Sequence, residues 1–306
     1  MSRHSQRWLA AIVLLAIALP SKAQVPVSSV ALKGKYYVYE NQFGNPPGPD
    51  GNRPRGWLSL FHWGDGANGG NIGWGERFVY SGNAGGALAF PSCVLGWHWG
   101  FPAGYPAVPT GLPARIWENH NFKTDWTFTI DDAAATMCVG YDLWFHTTGN
   151  PGASDSPSHE IVIWLNRSAS DGGNPPDAPG QNLGDVNLAG ATWHVTKSDT
   201  PVNAPPGNPA NCPAVVYVRD SNTLNCSLNL REFINDAVYH QKIIENAEFV
   251  TGIEAGSLIY TGKALFQSKS FTCDVSDYEG TAGAAPAPVA GTIAGAPPLV
   301  QGLSPY

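Results

Sequence analysis

Apolar and polar positions alternate with a period of two over residues 136–145. Met137, Val139, Tyr141, Leu143 and Phe145 share one face, and Asp142 and Trp144 share the other. The same design returns over residues 158–165, where Ile161, Ile163 and Leu165 point one way and Glu160, Val162 and Trp164 the other. Both segments predict strands with a wholly apolar core face, and both carry an acid and a tryptophan two residues apart on the second face. Between them, residues 146–157 are rich in Gly, Pro, Asn, Asp and Ser and predict a long hairpin loop. Antiparallel pairing would bring Asp142 and Glu160 onto one face, close enough for two carboxyl groups to share a proton.

Further strands are predicted along most of the chain. Residues 35–43 read as a strand ending in a turn signal, and residues 191–195 and 215–218 as two more. Residues 45–92 are dominated by loop signals, broken by short strand patterns at 57–61 and 77–80. Over residues 93–100 alternation places Trp97 and Trp99 on one face and His98 on the other. Two indoles on one strand face suit stacking against sugar rings, and equally suit a core. In residues 249–257, Gly252 and Gly256 flank Glu254 at a distance of two, which predicts space for a ligand to approach that carboxylate. One helix stands out: Asn229 can cap it with Glu232 three residues on, and Leu230, Phe233, Ile234, Ala237 and Val238 recur at helical spacing. A lone amphipathic helix in such a chain is expected to pack on the outside of a sheet.

Composition agrees with a β-rich fold. Charged residues make up only 13% of the 306, while Gly (35) and Pro (26) supply the turns that many short strands need. The expected class is all-β: an antiparallel β-sandwich of jelly-roll type with one short packing helix and an open cleft. Residues 1–23 combine a basic start (Arg3, Arg7), an apolar run and a small-residue exit, the pattern of a secretory signal peptide cleaved near Ala23. Residues 24–280 then form one β domain, and residues 281–306, rich in Ala, Gly and Pro, a low-complexity tail. Losing the three basic residues of the leader takes the formal charge from −7 to −10, and this acidic balance argues against nucleic acid as a partner. No later apolar run is long enough for a membrane span, so a soluble, secreted monomer is expected. Five cysteines in an exported chain predict disulfides with one thiol left over; Cys212 and Cys226 are the favoured pair, while Cys93, Cys138 and Cys273 stay unassigned. Cysteine spacing and scattered histidines match no zinc template, so neither a metal nor a cofactor is expected.

Tyr141-Asp142-Leu143-Trp144-Phe145, Glu160-Ile161-Val162-Ile163-Trp164-Leu165 and Thr251-Gly252-Ile253-Glu254, in that order, resemble glycoside hydrolase family 12, secreted endo-β-1,4-glucanases and xyloglucanases. The resemblance runs from about Lys35 to Val275. It implies a retaining hydrolysis of internal β-1,4 bonds in a β-glucan, with Glu160 as nucleophile, Glu254 as acid/base and Asp142 beside the nucleophile. It also implies substrate contacts from Asn41, Phe43, Trp97, Trp99, Trp144 and Trp164. The chain departs from the family pattern at Glu40-Asn41-Gln42-Phe43, where an Asn-Asn-x-Trp-Gly pattern is usual, and at Val162, where methionine is common. Two alternatives share much of this pattern: a related jelly-roll xylanase, and a non-catalytic β-glucan-binding sandwich that would keep the tryptophans without needing paired glutamates.

Overall fold

The computed structural model describes residues 25–27, 30–43, 56–63, 72–81, 86–105, 109–170, 176–203 and 212–277. The expected signal peptide and C-terminal tail lie outside them.

Fourteen strands form a single hydrogen-bonded network, antiparallel throughout except for one parallel pair. In chain order they are β1 (Val25–Val27), β2 (Val30–Lys33), β3 (Tyr36–Tyr39), β4 (Gly56–Trp63), β5 (Ile72–Tyr80), β6 (Ser92–Gly96), β7 (Ala114–Arg115), β8 (Asn121–His146), β9 (His159–Ser168), β10 (Gln181–Leu188), β11 (Ala191–Ser198), β12 (Ala214–Arg219), β13 (Asn225–Asn229) and β14 (Phe249–Ser276). Two of them organise the rest. β8 and β14, of 26 and 28 residues, pair with each other along almost their whole length. Their alternation patterns had marked only part of each as strand.

These two strands run through both layers of a sandwich. The first part of β14 lies between β6 and the second part of β8, which in turn pairs with β9, followed by β12, β11 and β10. The later part of β14 lies between β5 and the first part of β8, which also pairs with β13. Register shifts at Ile259/Thr261 and Lys263/Leu265 mark the crossing, and Gly262 sits there at φ 93°. A Cβ at Gly262 would come within 2.1 Å of the Ala134 carbonyl oxygen, so the strand can bend there only with glycine.

The core lies between the layers. Met137, Val139, Tyr141, Leu143, Phe145, Ile161, Ile163 and Leu165, the predicted core faces of β8 and β9, are all buried in it. They meet Trp126, Phe266 and Phe271 from the other layer; Trp126 packs at 5.2 Å from Tyr141 and 6.0 Å from Phe271. Burying several large aromatic rings at roughly 25 cal/mol per Å² of apolar area is the main force closing the sandwich.

Three local expectations are corrected. Residues 56–63 and 72–80, inside the stretch that read as mostly loop, form a β4–β5 hairpin that widens the outer layer. Leu230, Phe233, Ile234, Ala237 and Val238 are buried as the helical spacing required, but the helix is α only over Arg231–Asn235 and widens to a π turn over Asp236–His240. The capping box does not form: Asn229 Oδ1 accepts from Arg231 N–H, whereas Glu232 turns away to accept from the N–H of Ala189. No disulfide occurs among the described residues. Cys212 packs against the tryptophans of one sheet face, and Cys226, on β13, meets the Tyr141 hydroxyl at 3.4 Å in the other layer. The sheet separates the two sulfurs, which sequence proximity alone had paired.

Candidate active site

The second faces of β8, β9 and β14 turn away from the core and carry the acids. Register fixes their neighbours. On β8, Asp142 lies opposite Glu254 of β14 and Val162 of β9, and Trp144 lies opposite Gly252 and Glu160. Asp142 therefore sits between the two glutamates, one step diagonal to Glu160. All three carboxyl groups are fully buried. They form a belt between two apolar clusters on the same face. One contains Trp97, Trp99, Trp144, Ala103 and Cys212. The other is built on Phe90, Val162, Trp164 and Leu258, with Phe43 packed against it.

Each glutamate is held by its own set of donors. Glu160 accepts from the backbone N–H groups of Val202 (2.6 Å) and Asn203 (3.1 Å), in the segment that follows β11. Glu254 accepts from the Trp144 indole N–H (2.7 Å) and meets His98 Nδ1 at 2.6 Å, both on Oε1, while Ser92 donates to Oε2 at 2.7 Å. Asp142 differs: neither oxygen has a hydrogen-bond partner of good geometry among the described residues.

The electrostatics follow from this difference in donors. Burial pushes Asp142 well above the usual carboxylate range, and the charges of Glu160 and Glu254 push it further, with contact to Asn203 opposing. Burial also raises Glu160, but the Val202 and Asn203 N–H groups and Asp142 work against it. Of this coupled pair Asp142 is the one that keeps the proton, because two backbone N–H groups stabilise the ionised form of Glu160, whereas Asp142 has only the contact with Asn203 to oppose its burial and the neighbouring charges.

The remaining residues singled out by sequence fall as follows. Trp97 and Trp144 are fully buried, Trp164 nearly so, and Trp99 retains 8% of its surface. Trp97 and Trp99 do share a cluster, but not by strand alternation. β6 ends at Gly96, whose φ of 85° breaks the alternation and turns His98 toward Glu254. Asn41 is buried in a left-handed conformation (φ 35°), its carbonyl accepting from Phe90 N–H at 3.0 Å. Gly252 and Gly256 open space for backbone rather than ligand: a Cβ would meet the Trp97 carbonyl oxygen at 2.2 Å and that of Pro91 at 2.7 Å. Sequence patterns had passed over Ser92 and the Val202-Asn203 turn, since a serine opposite a glycine and two backbone N–H groups leave no periodic mark. No group of three or more metal-ligating side chains occurs among the described residues.

A further buried acid stands near the start of β9. Glu248 accepts from Ser158 and pairs with His159 Nδ1 at 2.9 Å. Burial would raise it, but the hydrogen bonds from His159 and Ser158 hold it below the usual carboxylate range. Ser158 points at the carboxylate and not at the histidine, so the trio is a brace and not a nucleophile.

An all-β sandwich with a belt of buried carboxyl groups and indoles on one sheet face defines the class: a glycoside hydrolase. Residues 98–276 match the model of Glycosyl hydrolase family 12, and the chain belongs to that family. Endoglucanase S of Pectobacterium parmentieri is 28% identical over 241 residues, spanning 79% of this chain and 82% of the relative. Among solved structures, a family 12 xyloglucanase from Bacillus licheniformis superposes with a TM-score of 0.69 at 22% identity, covering 83% of this chain and 99% of the other. Endoglucanase 3 of Trichoderma harzianum gives 0.65 at 18% identity, over 84% and 99%. At these identities the structural likeness speaks to the fold, which is the jelly roll expected from the sequence.

Proposed function

We propose that the protein is a secreted endo-β-1,4-glucanase that hydrolyses internal bonds of a cellulose-type glucan with retention of configuration. The observation that carries this is the arrangement of Glu160 and Glu254 on strands either side of β8, with Asp142 between them. Glu160, its oxygens held by two backbone N–H groups, attacks the anomeric carbon and forms a glycosyl-enzyme. Glu254 gives a proton to the departing glycosidic oxygen, then takes one from the water that releases the sugar. Direct attack leaves no place for a water between Glu160 and the anomeric carbon, so the two carboxyl groups should stand about 5 to 5.5 Å apart in the working enzyme. Asp142, carrying the proton of its pair, keeps Glu160 ionised and oriented. Trp97, Trp99 and Trp144 form one wall beside the carboxylates, and Asn41, Phe43 and Trp164 belong to the other. The similarity to Endoglucanase S and to a family 12 xyloglucanase supports a glucan substrate, cellulose, mixed-linkage glucan or xyloglucan.

The test is release of reducing ends from carboxymethyl cellulose, mixed-linkage glucan, xyloglucan and xylan by the wild type and by Glu160→Gln and Glu254→Gln. The reading requires release from a β-1,4-glucan that falls by several orders of magnitude in both variants while thermal unfolding is nearly unchanged. Wild-type turnover in either variant would remove that residue from the mechanism. A folded wild type that binds glucan and releases nothing would identify a binding module.

A further inference from the structure

The assignment of Glu254 as acid/base leaves open which of its two oxygens handles the proton, and the geometry around His98 decides this. Oε1 is in contact with two nitrogens, Trp144 Nε1 at 2.7 Å and His98 Nδ1 at 2.6 Å. An indole nitrogen can only donate. A carboxylate oxygen offers two good acceptor positions; assigning the ring hydrogen to Nδ1, since on the unpartnered Nε2 it would be a buried donor without an acceptor, fills Oε1. Oε2 has one hydrogen-bond partner among the described residues, Ser92 Oγ at 2.7 Å, and keeps one position open.

The side chain of His98 makes this one hydrogen-bonding contact among the described residues. It is 1% exposed, and its Nε2 has no hydrogen-bond partner among the described residues. The Tyr39 ring meets it edge-on at 5.0 Å. Its backbone is clamped to Phe101 in both directions, His98 N–H to the Phe101 carbonyl at 3.2 Å and Phe101 N–H to the His98 carbonyl at 2.7 Å. The turn that aims it depends on Gly96, where a Cβ would lie 2.4 Å from the Thr251 carbonyl oxygen. A ring oriented by packing, with one nitrogen on a carboxylate and the other idle, is built to fix that carboxylate's rotation.

We propose that His98 is a positioning residue for the acid/base: together with Trp144 it saturates Oε1 of Glu254 and confines the transferable proton to Oε2. In the first half-reaction the Oε2–H bond breaks as the glycosidic C–O bond breaks, and the proton leaves on the departing sugar hydroxyl. In the second half-reaction Oε2 takes a proton from water as the water oxygen bonds to the anomeric carbon and the Glu160 carboxylate is expelled. His98 itself neither gains nor loses a proton. This inference rests on the proposed role of Glu254.

The experiment compares two substrates with opposite need for an acid: mixed-linkage glucan, whose leaving sugar must be protonated, and dinitrophenyl β-cellobioside, whose phenolate leaves without help. Enzymes carrying His98→Ala, His98→Asn and Glu254→Gln are measured against wild type. His98→Ala should lower kcat on the glucan about 10- to 100-fold, a fraction of what complete loss of general acid catalysis costs, and lower glycosylation by the aryl cellobioside by less than about threefold. Asparagine can set an amide N–H near the place of Nδ1–H, so His98→Asn should recover most of the loss. Equal losses on the two substrates, or an Asn variant no better than Ala, would overturn the proposal. A Glu254→Gln enzyme that slows the glycosylation step of both substrates alike would instead overturn the acid/base assignment beneath it.

Discussion

The indole N–H of Trp144 donates to Oε1 of Glu254 at 2.7 Å, across a strand pair in which Trp144 stands opposite Gly252 and not opposite the glutamate itself. The contact is diagonal, and the missing side chain at position 252 lets the indole lie over the ladder. Trp144 thus has a polar duty as well as an apolar one. Trp144→Phe keeps a ring in the cluster but withdraws one donor from a fully buried carboxylate. It should destabilise the fold by about 1 to 3 kcal/mol and lower kcat on glucan roughly tenfold. Chemical denaturation and steady-state kinetics check both, and a variant with unchanged kcat would make Trp144 packing alone.

In the proposed mechanism Asp142 governs the acidic limb of the pH profile. As the proposed nucleophile Glu160 must be ionised to attack, and contact with protonated Asp142 is one of the influences that lowers its pKa against burial. Asparagine is a weaker donor to a carboxylate than a carboxylic acid is, so in Asp142→Asn ionisation of Glu160 should become harder. The acidic limb should move to higher pH, with a loss of about tenfold in kcat at the optimum. A profile with the same acidic limb as wild type would reduce Asp142 to scaffold.

Glu76 offers a test of stability apart from catalysis. It lies in the core between the layers, fully buried, with Oε1 accepting from Ser257 at 2.5 Å and Oε2 without a partner among the described residues. Burial raises its pKa well above the usual value, so the folded protein holds a proton there that the unfolded chain releases. The stability this neutral form contributes is complete below the unfolded value near 4.5 and is lost as pH rises above it toward the folded value. Glu76→Gln cannot ionise. Its melting temperature should fall less steeply than that of wild type between about pH 5 and pH 8, and parallel curves in differential scanning calorimetry would refute this.

Gly252 tests how tightly the site is braced. A methyl group there would have to share space with the Trp97 carbonyl oxygen, 2.2 Å from the ideal Cβ position, and that neighbour is backbone. Gly252→Ala should therefore cost about 1 to 3 kcal/mol and, by displacing the stretch that carries His98, lower activity on glucan as well. Calorimetry with kinetics decides: wild-type values of both would show that the strands part freely.

Much of this protein is legible in its sequence because strand geometry is periodic. Alternation along residues 136–145 and 158–165 determined which side chains enter the core and put Asp142, Trp144, Glu160 and Trp164 on the other face, since a period of two allows no other distribution. Three short motifs in order identified the family. What alternation cannot state is where a strand stops, what it pairs with, or which backbone groups a loop delivers. The full spans of β8 and β14, and the bend at Gly262 that sends them through both layers, came from pairing across more than a hundred residues. His98 reached Glu254 only because Gly96, at positive φ, ended the alternation one residue before Trp97. The N–H groups of Val202 and Asn203, which hold Glu160 and thereby leave the shared proton with Asp142, have no side-chain signature at all. Local pattern fixes the face of a residue, whereas contacts between distant segments fix its partners, and the chemistry of this site depends on the partners.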